Sequence, residues 1–278
     1  MSLVFDLHCH SIASDGSLSP TELVNFASAQ DIDVLALTDH DNTGGIAEAQ
    51  TTADRCGLKL IPGVEISVSW GVIPVHILGL GINPDCQTLQ TGLSKLCEFR
   101  VWRGEEIGKR LAKHGIDNAL EGAKKYATGE IIGRTHFAHF LVEQGISKDL
   151  KSVFKHYLIN GKPGHVTGDW APLEEAIAWI NAAGGQAVIA HPARYRISAT
   201  KLRSLIGVFK ECGGVGLEVV SGSHTKGDSI MMAKYANDFK LLASCGSDYH
   251  GPENPWVQLG KIPELPQSCT PVWQNWQV

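Results

Sequence analysis

Short apolar, β-branched runs alternate with amphipathic stretches along most of this chain, and that rhythm limits the fold more than any other feature. Strands are expected at Leu3–His8, Val34–Thr38, Lys59–Ser67, Ile73–Leu80, Gln186–Ala190, Gly216–Val220 and Leu241–Cys245. Helices are expected between most of them. The first opens at Ser19-Pro20-Thr21-Glu22, which joins a capping box to a proline at the first helical position. Others are expected near Gly45–Cys56, stopping at Gly57, and over Glu174–Ala183, Ala199–Cys212 and Lys226–Asp238. Strands separated by helices imply a parallel sheet, and closing that sheet gives an α/β barrel. An open, doubly wound sheet has the same pattern. The length, 278 residues, suits one barrel-sized domain carrying an insertion.

The insertion is expected at 95–165, where the alternation stops and helix follows helix. The flanking segments 1–94 and 166–278 would form the barrel, with Asp169–Pro172 as the return. Charge divides along the same lines. Residues 95–165 hold 13 Lys+Arg against 8 Asp+Glu, and the rest of the chain holds 11 against 21. A solvated helical surface is the plain explanation; a cap over a cation-binding barrel mouth, turned toward an anionic substrate, is the sharper one. The formal net charge of −5 excludes a uniformly basic nucleic-acid binder. The N-terminus meets Asp6 without a basic region, so no signal peptide is expected, and no apolar run approaches the ~20 residues that span a bilayer. Seven scattered cysteines without a Cys-x-x-Cys fit a reducing, cytoplasmic setting without disulfides. No protein partner is implied.

The chemistry lies where histidines and carboxylates fall on the strands. His8 and His10 close the first strand, and period-two alternation puts both imidazoles on one side with Cys9 on the other. Asp15 follows within one loop. His40 closes the second strand, Glu65 lies in the third and His76 in the fourth. His191 ends the fifth, and Asp248 and His250 end the last. A single histidine after a strand is usually a loop or core residue. Nine suitable residues at or near strand ends are hard to assign to chance, because the C-terminal ends of parallel barrel strands open on one face. Glu65 sits in an apolar strand with few Lys or Arg nearby, and an unpartnered buried carboxylate costs several kcal/mol, so a cation is the expected partner. Nitrogen and oxygen donors without thiolate suit Mn²⁺, Zn²⁺ or Fe²⁺. The set is too large for one ion and sufficient for two or three.

These segments resemble the PHP (polymerase and histidinol phosphatase) family: Asp6-Leu-His8-Cys-His10-Ser, Leu37-Thr-Asp39-His40-Asp41-Asn-Thr43, Gly63-Val-Glu65, His76, His191-Pro192 and Ser247-Asp248-x-His250. The resemblance implies a distorted (β/α)7 barrel with a trinuclear centre. By that analogy His8, His10, Glu65 and Asp248 hold one ion. Glu65, His76 and His191 hold a second, and Asp15, His40 and His250 a third. Asp at position 15 with a helical insertion is similar to the family's nucleoside 3′,5′-bisphosphate phosphatase subgroup. There Arg134 and His136, Arg194, and His224 in Ser223-His224-Thr225 look like phosphate-contacting positions, with Arg194 and His224 also assisting catalysis. The implied reaction is metal-dependent removal of the 3′-phosphate of a nucleoside 3′,5′-bisphosphate, extended to short 5′-phosphorylated RNA. Histidinol-phosphate phosphatase and a non-catalytic metal-binding module are the alternatives.

Overall fold

Capping chemistry starts the first helix where the sequence puts it: the Ser19 side chain accepts from the Glu22 amide, Glu22 reaches back to the Ser19 amide, and Pro20 opens the helix. The computed structural model describes residues 3–127, 131–168 and 170–277. In chain order the elements are β1 (Phe5–Cys9), α1 (Pro20–Ala29), β2 (Val34–Leu37), α2 (Ile46–Cys56), β3 (Lys59–Trp70), β4 (Ile73–Leu80), α3 (Gln87–Ala112), α4 (Ala119–Lys124), α5 (Arg134–Glu143), α6 (Leu150–Val153), β5 (Ala171–Pro172), α7 (Leu173–Ala182), β6 (Gln186–Ile189), α8 (Ala199–Glu211), β7 (Gly216–Ser221), α9 (Lys226–Phe239) and β8 (Leu242–Gly246). Two compact units result, Met1–Leu93 with Trp170–Val278, and Ser94–Asp169.

In the first unit the strands form one sheet in the order β1-β2-β3-β4-β6-β7-β8, with β5 beside β3. The two ends of this sheet meet. Cys9 bridges Tyr249, the His10 amide donates to the Tyr249 carbonyl at 2.8 Å, and the Asp248 amide donates to the His8 carbonyl at 2.8 Å. The product is a nearly closed α/β barrel, as expected. An all-parallel sheet is not what forms. β4 runs antiparallel to both β3 and β6. Trp70 pairs with Ile73 across only Gly71 and Val72, with Gly71 at φ +57°. A two-residue loop can join strands only as an antiparallel hairpin, since a parallel crossover needs a dozen residues or more. Of the expected return segment, Asp169 lies outside the described residues, and Ala171–Pro172 adds a short parallel pairing to β3.

Cys9 leaves its flanking histidines and packs with Leu23, Val24, Leu35, Leu60 and Tyr249 under α1 and α2. A second cluster, including Leu7, Ala36, Leu78, Val188 and Val272, lies along the strands, with Phe5, Trp273 and Trp276 packed against it. Trp273 stacks on Phe5 at 4.1 Å and the Trp276 indole donates to Gln186. Phe5 and Gln186 are the first residues of their strands, so these tryptophans cover the end of the barrel away from the histidines. The second unit has a core of its own, built around Ile107, Leu111, Phe137, Leu141, Val153 and Leu158. Among its described residues no strand occurs. None of the seven cysteines is in a disulfide. Among the described residues no helix is long and apolar enough to cross a membrane.

Candidate metal centre

β3 carries Glu65 at the centre of the site. Its side chain is fully buried, and five imidazoles surround it. Glu65 Oε2 lies 3.3 Å from His8 Nε2, 3.3 Å from His10 Nε2 and 3.0 Å from His40 Nδ1. Oε1 lies 2.8 Å from His76 Nδ1 and 3.0 Å from His191 Nε2. The two oxygens of one carboxylate therefore face two different sets of nitrogens. Asp248 Oδ1 adds contacts at 3.5 Å to His8 and 3.4 Å to His10. Beyond it, Asp15 Oδ1 sits 3.4 Å from His250 Nε2 and 3.9 Å from His40 Nε2.

All nine sequence-derived residues thus meet at one end of the barrel. Three donor sets are compact enough to hold an ion: His8 with His10, Glu65 and Asp248; His40 with Glu65 and His76; and His10 with Asp15, His40 and His250. The first is the set implied by the resemblance. In the others His40 also comes close to Glu65, and His10 joins Asp15 and His250. His191 enters through Glu65 Oε1 alone.

Backbone geometry explains how these side chains converge. A bridge between His40 and Glu65 continues the β2–β3 ladder past its last regular pair, with the Asp41 amide on the Glu65 carbonyl. His76 arrives on the antiparallel β4, opposite Ser67. Asp41, His191 and Asp248 hold positive φ values of 51°, 28° and 58° without being glycine. Such conformations cost of order 1–3 kcal/mol each and cluster at functional sites. Buried carboxylates support the loops. Asp39 accepts from the Ser11 amide and hydroxyl and from the Ser14 hydroxyl. Asp6 accepts from the Ser247 and Gly260 amides.

Burial would push the Glu65 carboxyl up, but His40, His76 and His8 hold it well below the usual carboxylate range. Burial pushes the His10 imidazole down to about 3 and that of His76 to about 4. Burial also acts against the His250 cation, yet Asp15 and Asp248 raise that imidazole to about 10. Desolvation lifts the Asp39 carboxyl to about 6 against its three hydrogen bonds. His8 Nε2, both His10 nitrogens, His191 Nδ1 and Glu65 Oε2 are buried and make no hydrogen bond. Buried polar atoms are normally satisfied, so orphaned nitrogen lone pairs around an ionised carboxylate fit a site for cations.

The expected phosphate contacts are spread more widely. Arg194 closes a 3₁₀ turn after His191, half exposed, with Nη1 on Asp248 Oδ2 at 2.5 Å. The His224 ring faces backbone on both sides, with Nδ1 3.2 Å from the Val219 carbonyl and the Ala193 amide 3.4 Å from Nε2. It therefore supports the turn bearing Arg194, and donating a proton from Nε2 would require that second contact to break. In the second unit Arg134 opens α5, its guanidinium over the Phe154 ring at 5.8 Å. His136 is buried, and its Nδ1 accepts the Gly133 amide at 3.1 Å, which makes it part of the helix cap. Arg103 and His165, unmarked in the sequence, feel the charge of Arg134. The nearly buried Arg103 guanidinium is lowered to about 9, first by burial and then by the neighbouring charges of Arg134 and Arg100. His165 is lowered by burial and by Arg103, Arg134 and Arg110. The convergence arises from folding α3 against α5 and has no short sequence motif.

The PHP domain family matches residues 6–185. The chain belongs to the PHP family. A 3′,5′-nucleoside bisphosphate phosphatase of Chromobacterium violaceum is 47% identical over 97% of this chain and 95% of its own length. A 5′-3′ exoribonuclease of Haemophilus influenzae is 45% identical over 99% of this chain and 100% of its own length. Among solved structures, a Chromobacterium violaceum protein described as an amidohydrolase with bound sulfate and no metal superposes with a TM-score of 0.93 at 47% identity, covering 97% of this chain and 94% of that one. A metal-dependent phosphoesterase candidate from Bifidobacterium adolescentis superposes with a TM-score of 0.85 at 26% identity, covering 96% and 94%. The PHP match begins at Asp6, the buried carboxylate that ties β1 to the loop after β8.

Proposed function

We propose that this PHP protein is a metal-dependent phosphoesterase that removes the 3′-phosphate of a nucleoside 3′,5′-bisphosphate, leaving the nucleoside 5′-monophosphate. The same chemistry extends to 5′-3′ trimming of short 5′-phosphorylated RNA: water adds to phosphorus, the P–O3′ bond breaks, and the remaining chain keeps a 5′-phosphate. The observation that carries the reading is the Glu65 carboxylate, whose two oxygens face separate sets of imidazole nitrogens. The names of the full-length relatives supply the substrate class.

His8, His10, Asp15, His40, Glu65, His76, His191, Asp248 and His250 would hold two to three divalent ions, with Mn²⁺ the first choice and Zn²⁺ or Fe²⁺ compatible with the donors. Such ions supply Lewis acidity at phosphoryl oxygens and an activated water at neutral pH. The protein's own contribution is placement and charge. Arg194, exposed at the rim and held by Asp248, presents a guanidinium fork to a phosphoryl group. His224 braces that turn and is the candidate proton donor to the departing O3′. Arg134, whose charge together with that of Arg100 disfavours the cation of Arg103, is proposed to bind a phosphate, and His136 to set the helix end that carries it. Cations that repel one another gain most when an anion joins them.

The test is hydrolysis with Mn²⁺ present, comparing adenosine 3′,5′-bisphosphate, 3′-AMP, histidinol phosphate and a 5′-phosphorylated dinucleotide. The bisphosphate should yield 5′-AMP and phosphate with kcat/KM at least about tenfold above 3′-AMP, the value of one charge-assisted contact. Equal values for the two would mean that the second phosphate is not read, and a preference for histidinol phosphate would replace this reading.

A further inference from the structure

Glu218 is a second carboxylate buried beside the centre, and none of the motifs above includes it. It lies on β7 with no solvent exposure. Oε1 is 3.0 Å from His8 Nδ1, and Oε2 accepts the His191 backbone N–H at 2.5 Å. Its two oxygens therefore serve two residues that come from different strands and face opposite oxygens of Glu65. Local structure makes room for this. The β7–β8 register shifts between Glu218 and Val220, the mark of a bulge, and bulges beside active sites re-aim side chains. Next to it, Gly246 keeps the space open: a Cβ there would stand 2.3 Å from His8 Cβ and 3.0 Å from Glu218 Oε1.

The consequence for His8 follows from the two faces of imidazole. A neutral ring carries one N–H and one lone pair, and the hydrogen bond at one nitrogen decides which is which. A carboxylate at Nδ1 fixes the proton there and leaves the lone pair on Nε2. Nε2 is the nitrogen that faces Glu65 Oε2 and Asp248 Oδ1, and it makes no hydrogen bond. His191 is controlled differently. Its backbone sits at φ +28°, far from where an unstrained residue rests, and the bond from its N–H to Glu218 is one of the contacts that hold it there.

We propose that Glu218 is the positioning residue of the metal centre, one carboxylate that sets the donor nitrogen of His8 and the backbone of His191 together. This rests on the metal-dependent reading above and extends it to a residue outside the donor sets. Carboxylates behind ligating histidines typically change metal affinity or activity by about 10–100-fold when removed.

Glu218→Gln is the first test, because the amide keeps the volume but cannot accept from both partners. Zn²⁺ affinity is measured by competition with a chromophoric chelator, on wild type and variant, beside thermal melting of the metal-free forms. The variant should bind Zn²⁺ about 10–100-fold more weakly, and saturating metal should restore kcat to near the wild-type value. An affinity within threefold of wild type overturns the role, as does a drop in metal-free melting temperature with unchanged affinity, which marks a packing role only. A wild-type protein that binds no Zn²⁺ removes the metal reading itself, a different failure. Should the variant not fold, long-range ¹H–¹⁵N spectra of the Zn²⁺-loaded wild type decide the matter. His8 should carry its proton on Nδ1 and its metal on Nε2, and the opposite pattern refutes the proposal.

Discussion

Removing Glu65 takes away the carboxylate whose two oxygens face all five imidazoles. With the carboxylate gone, His8 and His10 keep Asp248 and His8 keeps Glu218, but the link from these rings to His40, His76 and His191 through one carboxylate is lost. Glu65→Ala should therefore lower turnover by more than the ~10–100-fold expected for an outer partner, and should lower the metal bound per chain. Elemental analysis beside kcat checks this, and a variant with full metal content and near-normal turnover would refute the shared role. The reason Glu65 could be found in the sequence is physical. A carboxylate inside an apolar strand without a nearby cationic side chain needs a partner from elsewhere. Glu218, inside Gly216-Leu-Glu218-Val-Val, carries the same signal. No histidine beside it marks it as part of a ligand motif. Arg103 was beyond reach for another reason: it comes within range of the Arg134 charge only once α3 and α5 share one core, and their sequence separation carries no periodic mark.

At the scale of elements, α5 separates two roles that the sequence had joined. Arg134 and His136 are neighbours in sequence, yet one side chain belongs to a cluster of guanidinium groups and the other caps its own helix. Arg134→Ala should lower kcat/KM for the bisphosphate by about 10- to 150-fold, from a charge-assisted contact of roughly 1.5–3 kcal/mol, and spare a small generic phosphomonoester. His136→Ala should instead cost about 1 kcal/mol of stability, as loss of a helix cap does, and impair the bisphosphate less than Arg134→Ala does. Steady-state kinetics on the two substrates with a urea titration of each variant tells the roles apart; an Arg134→Ala enzyme equally impaired on both substrates would argue against phosphate reading. The helices and strands themselves were legible within a residue or three, because caps, prolines and β-branched runs act locally. Strand direction was not. The expected gap between Ser67 and Ile73 was already too short for a parallel crossover, but the alternation of strands and helices elsewhere favoured parallel neighbours, and one local turn overrode it. β5 is two residues long and exists only because β3 lies beside it.

For the molecule as a whole, the centre links folding, protons and metal. Without cations the first unit gathers carboxylates and histidines whose charges must satisfy one another. His250 shows the linkage best: burial disfavours its cation, yet Asp15 and Asp248 raise it to about 10. A histidine raised above its unfolded value of about 6.5 stabilises the fold fully below that pH, and the contribution is lost as pH rises through about 10. Asp39, raised to about 6 by burial, acts in the same direction but at lower pH, between its ordinary range and 6, which leaves the alkaline window to His250 and to His8, held well above the ordinary histidine range, against burial, by Glu65, Glu218 and Asp248. Bound divalent ions would supply the positive charge that the proton otherwise provides, and they bind by displacing it. The metal-free protein should thus lose thermal stability steadily between pH 7 and 9, while the metal-loaded protein should hold its melting temperature over the same range. The gap between the two should widen with pH, and proton release should accompany metal binding at pH 7. Melting curves of chelator-treated and Mn²⁺-loaded protein at pH 7, 8 and 9 measure it. A constant gap would mean that neither His250 nor His8 gives up a proton to the metal.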